Sequence, residues 1–554
     1  MSSGSSQKNL PLREIPGGYG LPFFGPIKDR YDFFYNLGVD RYFRTRMEKY
    51  KSTVFRCNMP PGPFMAKNSK VVALVDAVSF PILFDVSKVE KRDIFQGTYM
   101  ASTKFTGGHR VCSFLDPSEP KHATLKGLFL RTLAKLHHRF LPLFSSVTDD
   151  IFAQIEGELG KKGESNFNNV NDVKAFEFLF RLYCNDVKPS DTKLGANAGN
   201  SVTKWLLPQI APVTSLGLKW LPGFIEDLFL HTFPIPFFLV KSHYNKMYDA
   251  FYNNLGPLLD DAEKAGLKRD EACHNFVFFV CFNSYTAFKF FLPELLKHVG
   301  SAGEALHRHL AEEIRRAVER EGGKITVNAL NNMPLTESAI WEALRIEPPI
   351  RYQYAKAKED ITIQSHDASY LIKKGETIFG FQPFATKDPK IFENPDKYIP
   401  DRFVGEGKKL LEYVYWSNGK GTDIPGANDK QCLGREMIIL LSRLFLAELF
   451  LRYDTFVVEV SNYLFSYTVT FKVLSLPKVN LIGCVPGQDL NQGNPQQGLE
   501  LGCDGFQECL IRVGFQFLVL GRPGLRHEPA AQRWATGVVA RVGILAEIDG
   551  GVES

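Results

Sequence analysis

A cysteine in the last quarter of the sequence has neighbours that could make its thiol reactive. Cys432 ends the irregular stretch Asn428-Asp429-Lys430-Gln431 and stands just before an apolar run that predicts a helix over 435–452. A helix N-terminus and the nearby Lys430 both stabilise a thiolate, so we expect a lowered pKa for Cys432. Gly434 lacks a side chain and would let a flat ligand approach the backbone closely. A plain buried cysteine is the alternative for this residue.

A second group of residues could form a buried ion-pair cluster before that loop. Glu342 and Arg345 are three residues apart on a predicted helix, so their side chains share one face. Arg402, in the segment Pro400-Asp-Arg-Phe403, could supply a second guanidinium and close a buried triad. A solvated surface pair is the alternative for Glu342 and Arg345.

The order of these motifs is more specific than any one of them. A Glu-x-x-Arg helix, a hairpin, a Pro-x-Arg-Phe segment, a glycine-containing loop with Cys-x-Gly and a final helix follow one another. This order resembles the haem-thiolate cytochromes P450 over about residues 11–475. The resemblance implies that Cys432 is the axial thiolate, and metal ligand, of a haem b iron. It also implies that Glu342, Arg345 and Arg402 form the family's structural triad, with Lys430 and Gly434 beside the haem.

The cysteine loop is longer than is usual in that family. Gly419 and Cys432 are thirteen positions apart, and Lys430 takes the basic place two residues before the cysteine. This insertion resembles the plant branch that acts on fatty-acid hydroperoxides, namely allene oxide synthase, hydroperoxide lyase and divinyl ether synthase. Further matching segments are Ile15-Pro-Gly-Gly-Tyr-Gly-Leu-Pro-Phe-Phe24, Asn58-Met-Pro-Pro-Gly-Pro-Phe64, Leu115-Asp-Pro-Ser-Glu-Pro-Lys-His122 and Phe381-Gln-Pro-Phe-Ala-Thr-Lys-Asp-Pro389.

The central apolar segment carries the candidate catalytic amide. An oxygen-activating enzyme of this family usually has an acid followed by threonine there, but Tyr285 precedes Thr286 in this chain. An enzyme that receives a pre-formed peroxide needs no proton relay, no O₂ and no reductase. The amide of Asn283 could donate to one peroxide oxygen and accept the hydroperoxide proton. A core asparagine bonded to the backbone is the alternative.

Two residues near position 90 match further family positions. Phe95 stands where the resemblance implies that an aromatic ring steadies a carbon radical and favours dehydration to an allene oxide, whereas leucine is typical of the lyase. A core phenylalanine is the alternative for Phe95. Lys91, one helical turn earlier, resembles the partner of a haem propionate, and the alternative is a solvated charge run over 88–92.

The sequence departs from the family pattern at Thr286-Ala287, where two glycines are usual, and these side chains could narrow the pocket. We therefore expect an allene oxide synthase-like dehydratase acting on linoleic- or linolenic-derived hydroperoxides, with hydroperoxide lyase and divinyl ether synthase as alternatives in the branch. A reductase-dependent monooxygenase and a non-catalytic haem or lipid-binding protein are alternatives of other classes.

The elements that must position these residues are mainly helical. Helical patterns dominate from about 120 to 346, with clear examples at 137–158, 271–292, 304–321 and 336–346. Two short strands at 361–363 and 370–372 flank a turn, as in a β-hairpin. Residues 384–431 are irregular. The fold class expected is mainly α with a smaller β region, as in the cytochrome P450 fold.

Composition narrows the partners and the compartment. Of 554 residues, 44% are hydrophobic and 46 are Phe, which suits a large apolar interior, and a net charge of +5 does not favour nucleic acid. Nine cysteines without a Cys-x-x-Cys pair argue against a disulfide framework. We find no secretory signal and no apolar run near the ~20 residues that span a bilayer. A cytosolic, plastid or membrane-surface location, with peripheral membrane association, stays open.

Three segments are expected along the chain. Residues 1–26 form a Pro- and Gly-rich lead-in, and residues 27–476 form the haem-thiolate domain. Residues 477–554 match nothing in the family, and their Gly- and Gln-rich start at 486–506 predicts a poorly ordered tail.

Overall fold

A computed structural model of the chain describes residues 10–66, 68–94, 97–215, 217, 221–463 and 466–477. The described part is mostly helical with a smaller β region, which confirms the fold class expected from the sequence. Phe95 and residues 478–554 lie outside the described residues, so the prediction of a poorly ordered tail stays a prediction.

The helices account for most of the described chain. They are α1 (Phe24–Tyr31), α2 (Val39–Tyr50), α3 (Pro120–Lys162), α4 (Phe167–Tyr183), α5 (Ala198–Ile210), α6 (Gly223–Glu226), α7 (Lys241–Asn254), α8 (Gly256–Lys264), α9 (Arg269–Val277), α10 (Tyr285–Ala302), α11 (Glu304–Arg320), α12 (Val327–Asn331), α13 (Pro334–Ile346), α14 (Gln382–Ala385) and α15 (Arg435–Arg452). Helices α10, α11, α13 and α15 pack on one another around a common apolar core.

The helices α9 and α10 form one continuous central helix interrupted by a π-helical turn. That turn spans Phe278–Ser284, where the sequence has its densest apolar run. The whole stretch Arg269–Ala302 is long and apolar enough to cross a membrane, but 78% of its most apolar window is buried inside the protein. We therefore describe it as the core helix that the segment 271–292 predicts.

The strands form three small sheets. Their bounds are β1 (Leu12–Arg13), β2 (Val54–Asn58), β3 (Lys70–Leu74), β4 (Val89–Glu90), β5 (Ser165–Asn166), β6 (Tyr352–Ala357), β7 (Ile361–Gln364), β8 (Ser369–Ile372), β9 (Thr377–Phe381), β10 (Thr455–Tyr463) and β11 (Ser466–Ser475). The largest sheet has the order β2-β3-β9-β6-β4, and β3 is parallel to β9. The predicted hairpin is confirmed, because β7 pairs antiparallel with β8.

Two predicted helices are confirmed almost residue for residue. The run 435–452 is α15, and 304–321 is α11, whose Leu306, Leu310 and Ile314 are buried as its periodicity requires. The prediction was too short for α3, which has 43 residues, because its first turns bury polar side chains that a sequence pattern assigns to the surface. The six described cysteines are all free thiols, as expected.

Candidate functional site

Cys432 lies at the end of a loop that the backbone holds in place. Its N–H donates to the carbonyl oxygen of Ser417 at 3.2 Å, and the N–H of Gly434 donates to the Cys432 sulfur at 3.4 Å. A Cβ on Gly434 would lie 3.7 Å from that sulfur, an ordinary contact. Helix α15 begins at the next residue, Arg435, so the thiol sits just before a helix N-terminus, where the sequence places it.

The expectation of a lowered Cys432 pKa was wrong for the polypeptide by itself. Burial raises the pKa of the thiol, and this outweighs the Gly434 N–H, the Lys126 ammonium and the Trp416 indole, which lower it. The Nζ of Lys430 instead donates to the carbonyl oxygens of Ser113 and Leu115, at 2.7 and 2.8 Å. A metal ion displaces a thiol proton on binding, so the thiolate would form together with the metal complex.

A cavity of about 640 Å³ opens beside the thiol. Cys432 lines one side, and the π-helical turn of the central helix contributes Phe278, Phe282 and Asn283 to the lining. The Phe278 and Phe282 rings stack with centroids 4.6 Å apart, so much of this lining is aromatic. A cavity of this volume, lined by both aromatic and polar side chains, can hold a cofactor or small molecule.

Buried cations gather at one side of this cavity. Lys91 is only 2% exposed, and its Nζ donates to the Asn418 side-chain oxygen at 2.5 Å. Burial, reinforced by the charge of Lys430, lowers the pKa of Lys91 to about 7, and burial lowers that of Lys430 to about 8. Lys126 also lines the cavity and pairs with Asp429 at 2.6 Å. Lys91 and Lys430 donate to neutral oxygens and not to a carboxylate, so their buried ammonium groups favour an anionic ligand there.

The cavity also contains a polar group that a bound ligand could satisfy. Within the described residues, the Nε2 atom of Gln353 is buried without a hydrogen-bond partner, and Gln353 lines the cavity. A flat, largely apolar molecule that carries carboxylates and a metal ion would match the aromatic lining, the cations and the thiol together. Haem has this chemistry, so the residues present fit it.

The candidate catalytic amide faces the same cavity. The Nδ2 of Asn283 donates to the Ser113 hydroxyl at 3.3 Å. Thr286 also lines the cavity, but its hydroxyl donates to the carbonyl oxygen of Phe282 at 2.5 Å, within its own helix. Ala287 lines the cavity too, so both residues of the unusual Thr-Ala pair lie where they could limit its width.

The structure brings Glu342, Arg345 and Arg402 together. Arg345 donates to both Glu342 oxygens, at 2.7 and 2.8 Å, and the Arg402 Nε lies 3.0 Å from one of them. The side chains of Glu342 and Arg345 have no exposed surface, and that of Arg402 is 6% exposed. Arg345 also donates to the carbonyl oxygens of Pro395 and Thr386, so the cluster ties α13 to the irregular segment before the cysteine loop.

The structure places most of the other residues that the sequence singles out at the cavity, but not all of them. Lys91, Lys430 and Asn283 line the cavity together with Cys432. Phe95 lies outside the described residues, although its neighbour Ile94 lines the cavity. Sequence reasoning missed Ser113, Lys126 and Gln353, which come from distant segments without a motif. It also did not single out His122, although this residue ends the matching segment 115–122.

Comparison with known proteins identifies the family. A family profile described as Cytochrome P450 matches residues 284–482. Allene oxide synthase 3 of Solanum lycopersicum is 56% identical over 471 residues, covering 85% of this chain and 96% of that protein. The chain belongs to the cytochrome P450 family. The resemblance predicted from the motifs is thereby confirmed.

Other relatives place this P450 within the family. The chloroplastic allene oxide synthase of Linum usitatissimum is 50% identical, with 85% of this chain and 87% of that protein covered. The 9-divinyl ether synthase of Capsicum annuum is 48% identical, with 86% and 99% covered. This P450 is therefore a member of the branch that contains allene oxide synthases and divinyl ether synthases. The family implies a haem cofactor with a thiolate ligand.

The geometry of the ion-pair cluster yields a stability prediction for this P450. Arg345→Ala leaves Glu342 buried with only Arg402 as a cationic partner, so we expect a loss of about 3–5 kcal/mol in the free energy of unfolding. Chemical denaturation followed by circular dichroism measures it. Lys409→Ala is the matched control, because Lys409 and Glu406 form an exposed pair with the same three-residue spacing. An equal loss of unfolding free energy in both variants would show that the buried cluster stabilises the fold no more than an exposed pair does.

Proposed function

We propose that this P450 is a hydroperoxide dehydratase of the allene oxide synthase type. It would convert polyunsaturated fatty-acid hydroperoxides into allene oxides without O₂, NADPH or a reductase. The observation that carries this proposal is that the amide of Asn283 lines the same cavity as Cys432, whereas Thr286 has no acid before it and its hydroxyl donates within its own helix. Relatives named allene oxide synthase at 47–56% identity support it.

Four residues predicted from the sequence would hold the haem. Cys432 would bind the iron, and Gly434 would leave room beside the sulfur while donating its N–H to it. Lys91, near the positive charge of Lys430, would face the propionates, whose charge would compensate two buried ammonium groups. Lys126 also lines the cavity, but its charge is already paired with Asp429.

When bound, a haem with a thiolate ligand supplies homolytic cleavage of the peroxide O–O bond. The chain's own residues orient the hydroperoxide for it. The Nδ2 of Asn283 would donate to one peroxide oxygen, and its carbonyl oxygen would accept the hydroperoxide proton. Ser113, which accepts from the same Nδ2, keeps the amide turned into the cavity.

The apolar wall provides the other requirement of the reaction, the exclusion of water. The hydrocarbon chain of the substrate would pack against Phe278, Phe279 and Phe282, and the Phe279 ring itself stacks on Phe129 at 4.4 Å. These rings carry no strong hydrogen-bond donor or acceptor, so they would keep water away from a short-lived epoxide formed against them.

The final product depends on how the carbon radical is partitioned. Divinyl ether synthesis is the second candidate, since relatives of that name are 48–50% identical to this chain. The role that the resemblance implies for Phe95, favouring dehydration over chain cleavage, stays a prediction. A difference of about 1.4 kcal/mol between two barriers shifts the product ratio tenfold, so small changes in lining decide the outcome.

An exposed apolar face supports a location at a membrane surface. The segments 21–35, 60–66 and 223–239 pack together: Arg30 pairs with Asp227 at 2.7 Å, and Gly62 donates to the carbonyl oxygen of His231. Large apolar side chains on these segments are exposed, namely Leu21, Phe23, Phe24, Phe64, Phe224, Phe229, Phe238 and Leu239. We place the protein at a plastid membrane surface, which the relatives named chloroplastic support.

The activity itself is tested by adding 13- and 9-hydroperoxides of linoleic and linolenic acid to the haem-loaded protein without NADPH. We expect the diene absorbance to fall rapidly and ketols derived from the allene oxide to appear. Asn283→Leu should lower kcat about 100-fold at unchanged haem content, because one hydrogen-bonding group to the reacting oxygens is lost. Thr286→Val is the control and should remain active, since that hydroxyl bonds to its own helix. Turnover that requires NADPH would overturn the proposal.

The identity of the haem ligand is tested by Cys432→Ser. A neutral hydroxyl is a weak ligand for haem iron compared with a thiolate, so we expect loss of haem or of the thiolate-type Soret spectrum. Cys112→Ser is the matched control, because Cys112 also lines the cavity. A wild-type spectrum in Cys432→Ser would contradict the assignment.

Membrane association is measured by sedimentation with galactolipid vesicles. The double variant Phe23→Ser/Phe229→Ser should bind at least about tenfold more weakly, because each phenylalanine side chain transferred from water contributes roughly 1.5–3 kcal/mol. Ile424→Ser, which removes an 85% exposed apolar side chain from the cysteine loop, is the control. Equal binding by all three proteins would show that this face does not contact lipid.

A further inference from the structure

Three side chains of types that bind metals converge away from Cys432. Asp270 and His274 lie one turn apart on helix α9, so both project from the same face. His109 lies in the loop that leads to Cys112 and Ser113, which line the cavity. Its Nε2 lies 3.1 Å from Asp270 Oδ2, and the Nε2 of His274 lies 3.4 Å from Asp270 Oδ1. The two imidazoles thus point at one carboxylate from different segments of the chain.

The spacing of these atoms fits a small coordination sphere. One ligand atom from each of His109, Asp270 and His274 lies within 4.8 Å of the others. Zinc binds nitrogen and oxygen at about 2.0–2.2 Å in a tetrahedron, which places neighbouring ligand atoms about 3.3–3.5 Å apart. The two imidazole nitrogens lie 3.1 and 3.4 Å from different oxygens of Asp270, so this carboxylate stands between the rings and would turn to offer one oxygen to an ion held by both.

The surrounding residues hold the ligands as the outer shell of a metal site does. The Tyr244 hydroxyl is 2.7 Å from His274 Nδ1, which leaves Nε2 as the nitrogen facing Asp270. The Tyr248 hydroxyl donates to Asp270 Oδ1 at 2.6 Å. Histidine ligands in proteins regularly use their second nitrogen, and carboxylate ligands their second oxygen, in such bonds.

A glycine allows the loop to reach this position. Gly107 has φ +64°, and a Cβ there would lie 2.1 Å from the ring of His274. Only a residue without a side chain fits between the loop and that ring. His109, two residues later, is thereby brought to the carboxylate on α9.

A second cluster of similar composition differs in its hydrogen bonds. Asp76, His366 and Asp388 are also close together. The carboxylate of Asp76 already accepts from the backbone N–H of Ser79 and from the hydroxyls of Thr53, Ser79 and Ser365. Asp270 accepts from one hydroxyl outside its cluster and is exposed, whereas Asp76 is buried and accepts from all of these donors. The second cluster is therefore a hydrogen-bonded junction and provides a control.

We propose that His109, Asp270 and His274 form a binding site for a divalent transition-metal ion, with zinc as the best match. Three protein ligands leave one tetrahedral position for water. The side chain of Asp270 is 58% exposed, so an ion reaches the site directly from solvent. Two imidazoles and one carboxylate suit zinc better than calcium or magnesium, which take oxygen ligands.

The metal would link the loop that carries His109 to the central helix, close to the amide of Asn283. The loop continues from His109 to Cys112 and Ser113, which line the cavity, and the Cys112 N–H donates to Asn275 of α9 at 2.9 Å. Ser113 in turn contacts Asn283. An ion bound by His109 and α9 therefore holds the outer end of the same loop, which makes its ligands positioning residues for that contact.

The test uses the haem-loaded protein after removal of free metal with a chelator. Zinc is titrated in competition with a chromophoric chelator, and we expect one ion per chain and a higher thermal midpoint. His109→Gln and Asp270→Asn should each weaken zinc binding at least tenfold, and Tyr244→Phe should weaken it by about 10- to 100-fold. His366→Gln, in the junction cluster, should bind zinc as the wild type does.

X-ray absorption at the zinc edge gives a second readout. We expect nitrogen and oxygen ligands with imidazole scattering, whereas sulfur ligands would assign the zinc to cysteines. The proposal is overturned if zinc does not bind stoichiometrically, or if His109→Gln and Asp270→Asn bind it with wild-type affinity. None of these measurements uses a hydroperoxide, so their outcome is independent of the proposed reaction.

Discussion

The buried carboxylate of Glu342 fixes the position of the irregular segment that leads to the cysteine loop. It is completely buried, and a buried carboxylate is stable only while its partners remain in place. Arg345 and Arg402 provide those partners, and their remaining N–H groups donate to the carbonyl oxygens of Pro395 and Glu393. One desolvated charge thereby organises a segment that has few regular hydrogen bonds of its own, and it joins that segment to helix α13, which packs on α15.

The cavity combines an aromatic lining with buried ammonium groups, and burying such charges beside apolar surface costs free energy unless an anion binds there. Aromatic rings of the central helix line one part of the cavity, and the ammonium groups of Lys91 and Lys430 line another part. The lowered pKa of Lys91, to about 7, shows how strongly burial opposes that charge. An anionic cofactor would remove this conflict, because its carboxylates would restore the charge balance.

The sequence alone predicts the elements whose ends are marked by a clear change in residue type. Helix α15 begins after Gly434 and is mostly apolar, with Ser442, Arg443 and Glu448 as its polar interior residues, so its limits could be read directly. Helix α3 was underestimated because His122, Lys126 and Thr132 are buried polar residues in its first turns. The Cys432 pKa was misjudged for a related reason: the charge of Lys430 is directed to carbonyl oxygens far away in the sequence, and burial is a property of the tertiary fold.

The π-helical turn at Phe278–Ser284 separates the rotational phase of α9 from that of α10. With i→i+5 bonds, the turn contains more residues than an α-helical turn, so the faces on its two sides do not continue one another. The turn therefore fixes a rotational offset between the face of α9 that meets the loop and the face of α10 that packs in the core. One continuous helix can thereby meet two surroundings that a regular α-helix would have to present along a single face.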